Sequence, residues 1–307
     1  MTFKEHNNRL KANQFAEYIT GETLRRYVAD KVHHYVGTDV TVFDGAVGSG
    51  QLEQFVQPRY IYGVEIQDES CKACRENFPN SDIMHQSFFA YDGDVVADCV
   101  IMNPPFSLAF KDLPEEDKAQ IQKEFPWKKS GKVDDIFLLK SLKHTSRFAF
   151  YIMFPGIAYR NTERIMRQEV GERLAELNVI RNAFEDTSID VLFLVIDKEK
   201  ATKDIVKEIY DCKLKKSVYN EESVLPDDWA WEIPREPIET EVIDIDVVNK
   251  ELDDMTVKHL EKHLISQLLL IQFFKADIDY LGFINRCRIL LNQYETMFIE
   301  GRKTECR

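Results

Sequence analysis

The sequence predicts an α/β fold: a doubly wound, mostly parallel sheet with helices ahead of it and a helical extension behind it. Two patterns point there. Between residues 40 and 196, six short, largely apolar runs recur, each continuous rather than alternating, as in strands covered on both faces. Most are separated by polar–apolar stretches of helical length, and strands that alternate with helices build a parallel sheet.

Taken in order, residues 1–37 read as an N-terminal helical segment, because Leu24, Val28, Val32 and Val36 recur every four positions and make one apolar face. The strand runs then follow at 40–43, ending on Asp44, and at 60–64, ending on Glu65. A weaker run lies at 82–84, and a fourth at 97–102 ends on Asn103. The fifth, 148–153, runs into Phe154-Pro155-Gly156, and the last spans 191–196. Residues 38–200 thus form the sheet domain. Beyond it, 201–307 read as an acidic linker and a helical C-terminal region. Pro226, Pro234 and Pro237 break up residues 220–247, whereas 250–298 is helical, with Leu260, Leu264, Leu268, Ile271 and Phe274 on one face.

Composition narrows the function classes. With 44% hydrophobic residues the chain can bury a sizeable core, and with only 12 Gly and 10 Pro it has little room for long structureless loops. It contains no run of 18 apolar residues, so no membrane span is expected. The start, Met1-Thr2-Phe3-Lys4-Glu5, lacks the apolar core of a signal peptide. Six scattered cysteines are too few and too irregular for a disulfide framework, which points to a reduced, cytoplasmic protein. Cys71 and Cys74 have no second pair near them, so no metal site is expected. A net charge of -13 argues against an unaided grip on nucleic acid over a broad face, since phosphate binding runs on Lys and Arg; a local basic patch remains compatible.

Two constellations carry chemistry. Asp44-Gly45-Ala46-Val47-Gly48-Ser49-Gly50 follows a strand and precedes a helix candidate. Its glycines allow a sharp turn and close approach of a ligand, and helix N-terminal amides would face an anion. Glu65, at the end of the next strand, is placed to accept two ribose hydroxyls. The second constellation, Asn103-Pro104-Pro105-Phe106, sits at the carboxyl end of a strand, where doubly wound sheets bind ligands. The Asn103 carboxamide oxygen and the Pro104 carbonyl can each accept one hydrogen of an exocyclic amine. That arrangement turns a delocalised, poorly nucleophilic nitrogen into a pyramidal one with an aimed lone pair. The prolines stiffen the turn, and Phe106 offers a face to a planar base.

With these motifs the chain resembles the amino-methyltransferases, most of all the N6-adenine DNA methyltransferases in which the cofactor loop precedes Asn-Pro-Pro-Phe. The family loop is commonly Asp-Pro-x-x-Gly-x-Gly; here Gly45 stands in place of the proline. Tyr18-Ile19-Thr20-Gly21 is similar to an aromatic-x-Thr-Pro segment whose Thr holds the amino acid end of the cofactor, again with glycine for proline. Asp134-Asp135-Ile136-Phe137-Leu138 resembles the helix start that lines the cofactor pocket. Phe154-Pro155-Gly156 resembles the family's strand–Pro turn, and Phe184 with the run 191–196 its late aromatic and final strand. The likeness covers about residues 13–198. It departs after the third strand, where the family often has an acid near the cofactor's adenine. Here the stretch is His85-Gln86-Ser87-Phe88-Phe89, so either Ser87 or Asp82 takes that place, and Phe88 or Phe89 either sandwiches the ring or belongs to the core.

The resemblance implies a Rossmann-like methyltransferase fold, S-adenosylmethionine as cofactor and adenine in DNA as substrate. It assigns catalysis to Asn103, Pro104, Pro105 and Phe106. Cofactor binding falls to Thr20, Asp44, Gly45, Ala46, Gly48, Gly50, Glu65, Ile66, Ser87, Phe88 and Asn103. Substrate contacts are expected from Phe106, Phe184, Lys128 and Lys129, the lysines belonging to a basic–aromatic stretch with Trp127 that either meets phosphates or is a solvated loop. The lack of an evident recognition domain points to a specificity or restriction subunit as partner, in a restriction-modification setting. RNA bases, protein glutamine side chains, or a non-catalytic assembly role are the competing readings.

Overall fold

The computed structural model of the 307-residue chain describes residue 3 and residues 20–106, 108–184, 189–236 and 245–305. The chain divides into two compact units, Met1–Pro237 and Ile238–Arg307. The first holds helix α1 (Glu22–Tyr35) and strands β1 (Thr41–Asp44), β2 (Tyr60–Glu65), β3 (Ser81–His85), β4 (Ala97–Met102) and β5 (Thr145–Met153). Helix α2 (Asp68–Asn77) joins β2 to β3, and α3 (Glu115–Glu124) and α4 (Asp134–Ser141) lie between β4 and β5. After β5 come α5 (Gly156–Tyr159), α6 (Arg164–Val170), β6 (Leu174–Arg181), β7 (Val191–Asp197), β8 (Asp204–Asp211) and β9 (Lys216–Val224).

These strands make one nine-stranded sheet, ordered β3-β2-β1-β4-β5-β7-β6-β8-β9. Strands β1 to β5 run parallel; β7 is antiparallel to both β5 and β6, and β9 is antiparallel to β8. The mostly parallel, doubly wound sheet read from the sequence is therefore the fold. Its strand order reverses between β1 and β4, which opens a crevice at their carboxyl ends. Asp44, Glu65 and Asn103 all end or follow strands beside that crevice.

Continuous apolar strands work here because both faces are covered. In β5, Phe148, Phe150 and Ile152 join one core cluster, and Ala149, Tyr151 and Met153 join the other. Strand β7 alternates in the same way, and β4 splits Cys99 and Ile101 from Val100 and Met102. Helix α1 packs its stripe, Leu24, Val28 and Val32, into the first of these faces, while Val36 is half-buried just past the helix end. The earlier part of the expected N-terminal helical segment lies outside the described residues.

The sheet continues past residue 200, where the change in texture had marked its end. Strands β8 and β9 read as linker because their apolar residues are interleaved with charged ones. Strand β9 is an edge strand, where Lys216, Glu221 and Glu222 are compatible with solvent and discourage edge-to-edge pairing. Strand β6 escaped notice for another reason. Its Glu176 and Asn178 are buried against α1, where Glu176 accepts from Lys31 Nζ at 2.6 Å and from the Tyr35 hydroxyl, and Asn178 Nδ2 donates to the Tyr27 hydroxyl.

The second unit comprises α7 (Ile245–Phe274) and α8 (Tyr280–Glu305), two helices where the sequence read as one stretch. The residues of the expected stripe are mostly exposed, Leu260 at 61% and Phe274 at 71%. Of the cysteines, 71, 74, 99, 212 and 287 are free thiols, and Cys306 lies outside the described residues. Among the described residues no helix is long and apolar enough to cross a membrane.

Candidate active site

The glycine loop turns directly off β1. Asp44, 1% exposed, accepts the Ala46 N–H at 2.7 Å, and the Val47 N–H reaches back to the Val64 carbonyl of β2 at 3.2 Å. Gly48 (φ 56°) and Gly50 (φ 79°) occupy the left-handed region that glycine adopts without strain. Residues 51–56 are turns, not the helix expected there. The Gln54 N–H closes only a short turn onto the Gln51 carbonyl, so a helix-terminus anion site does not form and the loop itself must serve.

Gly45 is dictated by packing. A Cβ there would lie 2.6 Å from the Phe88 ring and 2.9 Å from Met102 Cε. Phe88 in turn stacks on Phe137 of α4, with centroids 5.4 Å apart and planes at 14°. Gly45→Ala is expected to destabilise the fold by about 1–3 kcal/mol through this overpacking, and to displace the Phe88 wall of the cavity. Thermal unfolding and ligand titration of the variant measure the two effects. Gly21, the other glycine found where relatives have proline, has φ -60°, the angle a proline ring imposes, so the segment keeps its geometry.

Glu65, at the end of β2, accepts the Gly48 N–H at 2.9 Å and the Gln67 N–H at 2.8 Å. Its carboxylate thereby pins the loop to β2. A carboxylate at this place is also the kind of acceptor that suits a ribose hydroxyl.

Beneath the loop, Glu53 is fully buried beside the Asp44 carboxyl. Burial pushes its carboxyl up from 4.5 to about 7, and burial and the neighbouring Glu53 push Asp44 up as well. The folded chain therefore keeps a proton on Glu53 where the unfolded chain has lost it. That contribution to stability is complete below 4.5 and is lost as pH rises through about 7. The slope is up to about 1.4 kcal/mol per pH unit. Across that window Glu53→Gln should gain stability relative to the parent chain, levelling off above it, as denaturant unfolding at stepped pH will read.

Asn103 follows β4. Its Nδ2 donates to Thr20 Oγ1 at 3.0 Å, while its Oδ1 is buried and has no hydrogen-bond partner among the described residues. Thr20, expected at the amino acid end of a cofactor, is thus bonded to the catalytic candidate. Tyr18 and Ile19 of the same segment lie outside the described residues.

These groups meet at one cavity of about 510 Å³, within the range of small-molecule sites. Thr20, Asp44, Gly45, Ala46, Gly48, Glu65, Ile66, Ser87, Phe88, Asn103, Pro104, Pro105 and Phe106 all line it. Gly50 does not; a Cβ there would lie 2.6 Å from the Phe78 ring, so Gly50 shapes the loop from behind. Phe106 is 5% exposed, and its ring meets Phe184 edge-on at 6.1 Å. Phe184 backs Phe106 and does not line the cavity. Ser87 and Phe88 line it along with Phe89, whereas Asp82 is exposed on β3 outside it.

Lys128 corrects the expected phosphate contact. It is 1% exposed, and its Nζ donates to both oxygens of Asp135, at 2.7 and 2.6 Å. A lysine held this way cannot reach substrate. Lys129 is exposed and lies off the cavity. Of the Asp134–Leu138 segment only Phe137 reaches the cavity wall. Sequence reading missed Gln51, Gln67, Gln86, Leu108, Asp112, Leu113, Pro114 and Asp117, which also line it. The one available signal was Pro114 with three acids after it, a helix start, but nothing local tells where that helix lies.

Comparison with known proteins fits this geometry. The family described as N-6 DNA methylase matches residues 3–224. The chain belongs to that family. A methyltransferase subunit of a type I restriction-modification system from Streptococcus thermophilus superposes with a TM-score of 0.53 at 18% identity, over 66% of this chain and 50% of that one. A Listeria monocytogenes protein assigned as a class I S-adenosylmethionine-dependent methyltransferase gives 0.53 at 14%, over 63% and 65%. A chain from a type I restriction-modification assembly gives 0.58 at 14%, over 89% and 68%. At these identities the likeness is one of fold, and it is the class I methyltransferase fold. The chain spans half to about two-thirds of the first two. No curated protein matches the family member by sequence.

Proposed function

We propose that this N-6 DNA methylase family member transfers a methyl group from S-adenosylmethionine to the N6 amino nitrogen of adenine in DNA. The observation that carries the reading is the Asn103 carboxamide, whose Oδ1 is buried at the cavity with no partner among the described residues while Nδ2 is held by Thr20. An orphaned buried acceptor costs about 1–3 kcal/mol, and a ligand N–H at the cavity offsets that cost.

The cofactor fits the residues present. The glycine loop would hold its amino acid end, Glu65 its ribose, and Ile66 and Phe88 its purine. Bound there, it supplies an electrophilic methyl group. Asn103 Oδ1 and the Pro104 carbonyl accept the two amino hydrogens of a flipped-out adenine and aim its lone pair at that methyl. Pro104 and Pro105 hold this geometry, and Phe106, backed by Phe184, presents its ring to the base. No side-chain base is required, because the methylated nitrogen is acidic enough to lose its proton to water.

The net charge of -13 supports a separate partner for DNA site readout. A specificity or restriction subunit fits that need. Labelled cofactor offered with DNA, RNA and protein fractions tests the substrate: label in DNA is expected. Label confined to RNA or protein overturns the substrate assignment, and label in none overturns the enzyme.

A further inference from the structure

Two acids at the cavity, Asp112 and Asp117, are used by neither the glycine loop nor the Asn-Pro-Pro-Phe turn, and Asp112 is exposed. Asp117 sits in the first turn of α3, is 8% exposed and lines the cavity. Its carboxylate makes no hydrogen bond or ion pair with another described residue.

The packing of α3 tells which end of the cavity Asp117 faces. Helix α3 lies against the turn Phe88–Ala90, which follows β3. Ile121, one helical turn on from Asp117 and so on the same face, is buried with Phe88, Phe89 and Phe137. Lys140 Nζ bridges the Phe89 carbonyl at 3.2 Å and Glu124 Oε2 at 3.0 Å, fastening the far end of α3 to the same turn. Asp117 therefore lines the cavity on the side where α3 packs against the stretch of wall at Phe88. With ribose at Glu65, that stretch takes the purine.

Adenine's 6-amino group is a hydrogen-bond donor and needs an acceptor there. At the end of β3 this chain offers the Ser87 hydroxyl in place of an acid, and Asp82 is outside the cavity. We propose that Asp117 accepts the 6-amino hydrogen of the cofactor's adenine, so that the acid arrives from α3 and not from the end of β3. The assignment rests on the reading of this cavity as the S-adenosylmethionine site.

The test is calorimetric titration of the full chain with S-adenosylhomocysteine and with its 6-oxo counterpart, S-inosylhomocysteine. The parent chain is expected to prefer the adenosyl compound. Asp117→Asn should weaken adenosyl binding by about tenfold to a hundredfold, and its amide N–H should narrow or reverse the preference between the two ligands. The ratio of the two affinities is the readout, so a general loss of folding does not imitate the effect. An unchanged ratio in Asp117→Asn, or the same shift produced by Asp112→Asn instead, overturns the assignment. If the parent chain binds neither compound, it is the cofactor site itself that has been misread.

Discussion

Asn103→Ala is expected to lower methyl transfer by about a hundredfold to a thousandfold, the loss found when a preorganised transition-state hydrogen bond is removed. Cofactor affinity should change by no more than a few-fold, because the carboxamide oxygen has no partner among the described residues and, in the proposed reading, serves the target amine. The split follows from position: the glycine loop and Glu65 are tied together by the Gly48 and Gln67 amides, independently of Asn103. Single-turnover rates and ligand titration separate the two quantities. Thr20→Val gives a graded version, since it frees Nδ2 to rotate while leaving the acceptor in place.

Lys128→Met is expected to destabilise the fold by about 3–5 kcal/mol, because it strands Asp135 as a buried carboxylate. Burial already pushes Asp135 up to about 7, against the downward pull of Lys128. Without that pull the folded-state value climbs further above the unfolded 3.8, so the folded chain holds its proton over a wider range. Stability from that proton is present at low pH and lost as pH rises. The cost of Lys128→Met is therefore smaller in mildly acidic than in mildly alkaline solution. Adding Asp135→Leu should recover most of the loss, since replacing both partners of a buried pair is often near neutral. The effect reaches the cavity through α4, whose Phe137 stacks on Phe88.

Which features could be read in advance follows from how local their signals are. β1, β2 and β4 are continuous apolar runs, and each ends in a residue that needs a strand end: Asp44, Glu65, Asn103. Their shared cavity was legible because a parallel sheet gathers its carboxyl ends on one edge. β6 was not, since Glu176 and Asn178 look like surface residues until Tyr27, Lys31 and Tyr35 of α1 are folded onto them. Lys128 misled for the same reason: beside Trp127 and Lys129 it resembles a basic loop, and only the fold reveals Asp135 against it. Asp117 escaped because its role depends on where α3 comes to rest, on the turn after β3.

The most direct measurement is nucleoside analysis of DNA methylated by the chain with labelled cofactor, run beside Asn103→Ala. Label in N6-methyladenine, and its loss in the variant, is the expected result. Label in N4-methylcytosine, in no nucleoside, or undiminished in Asn103→Ala would contradict the adenine-N6 assignment to this turn.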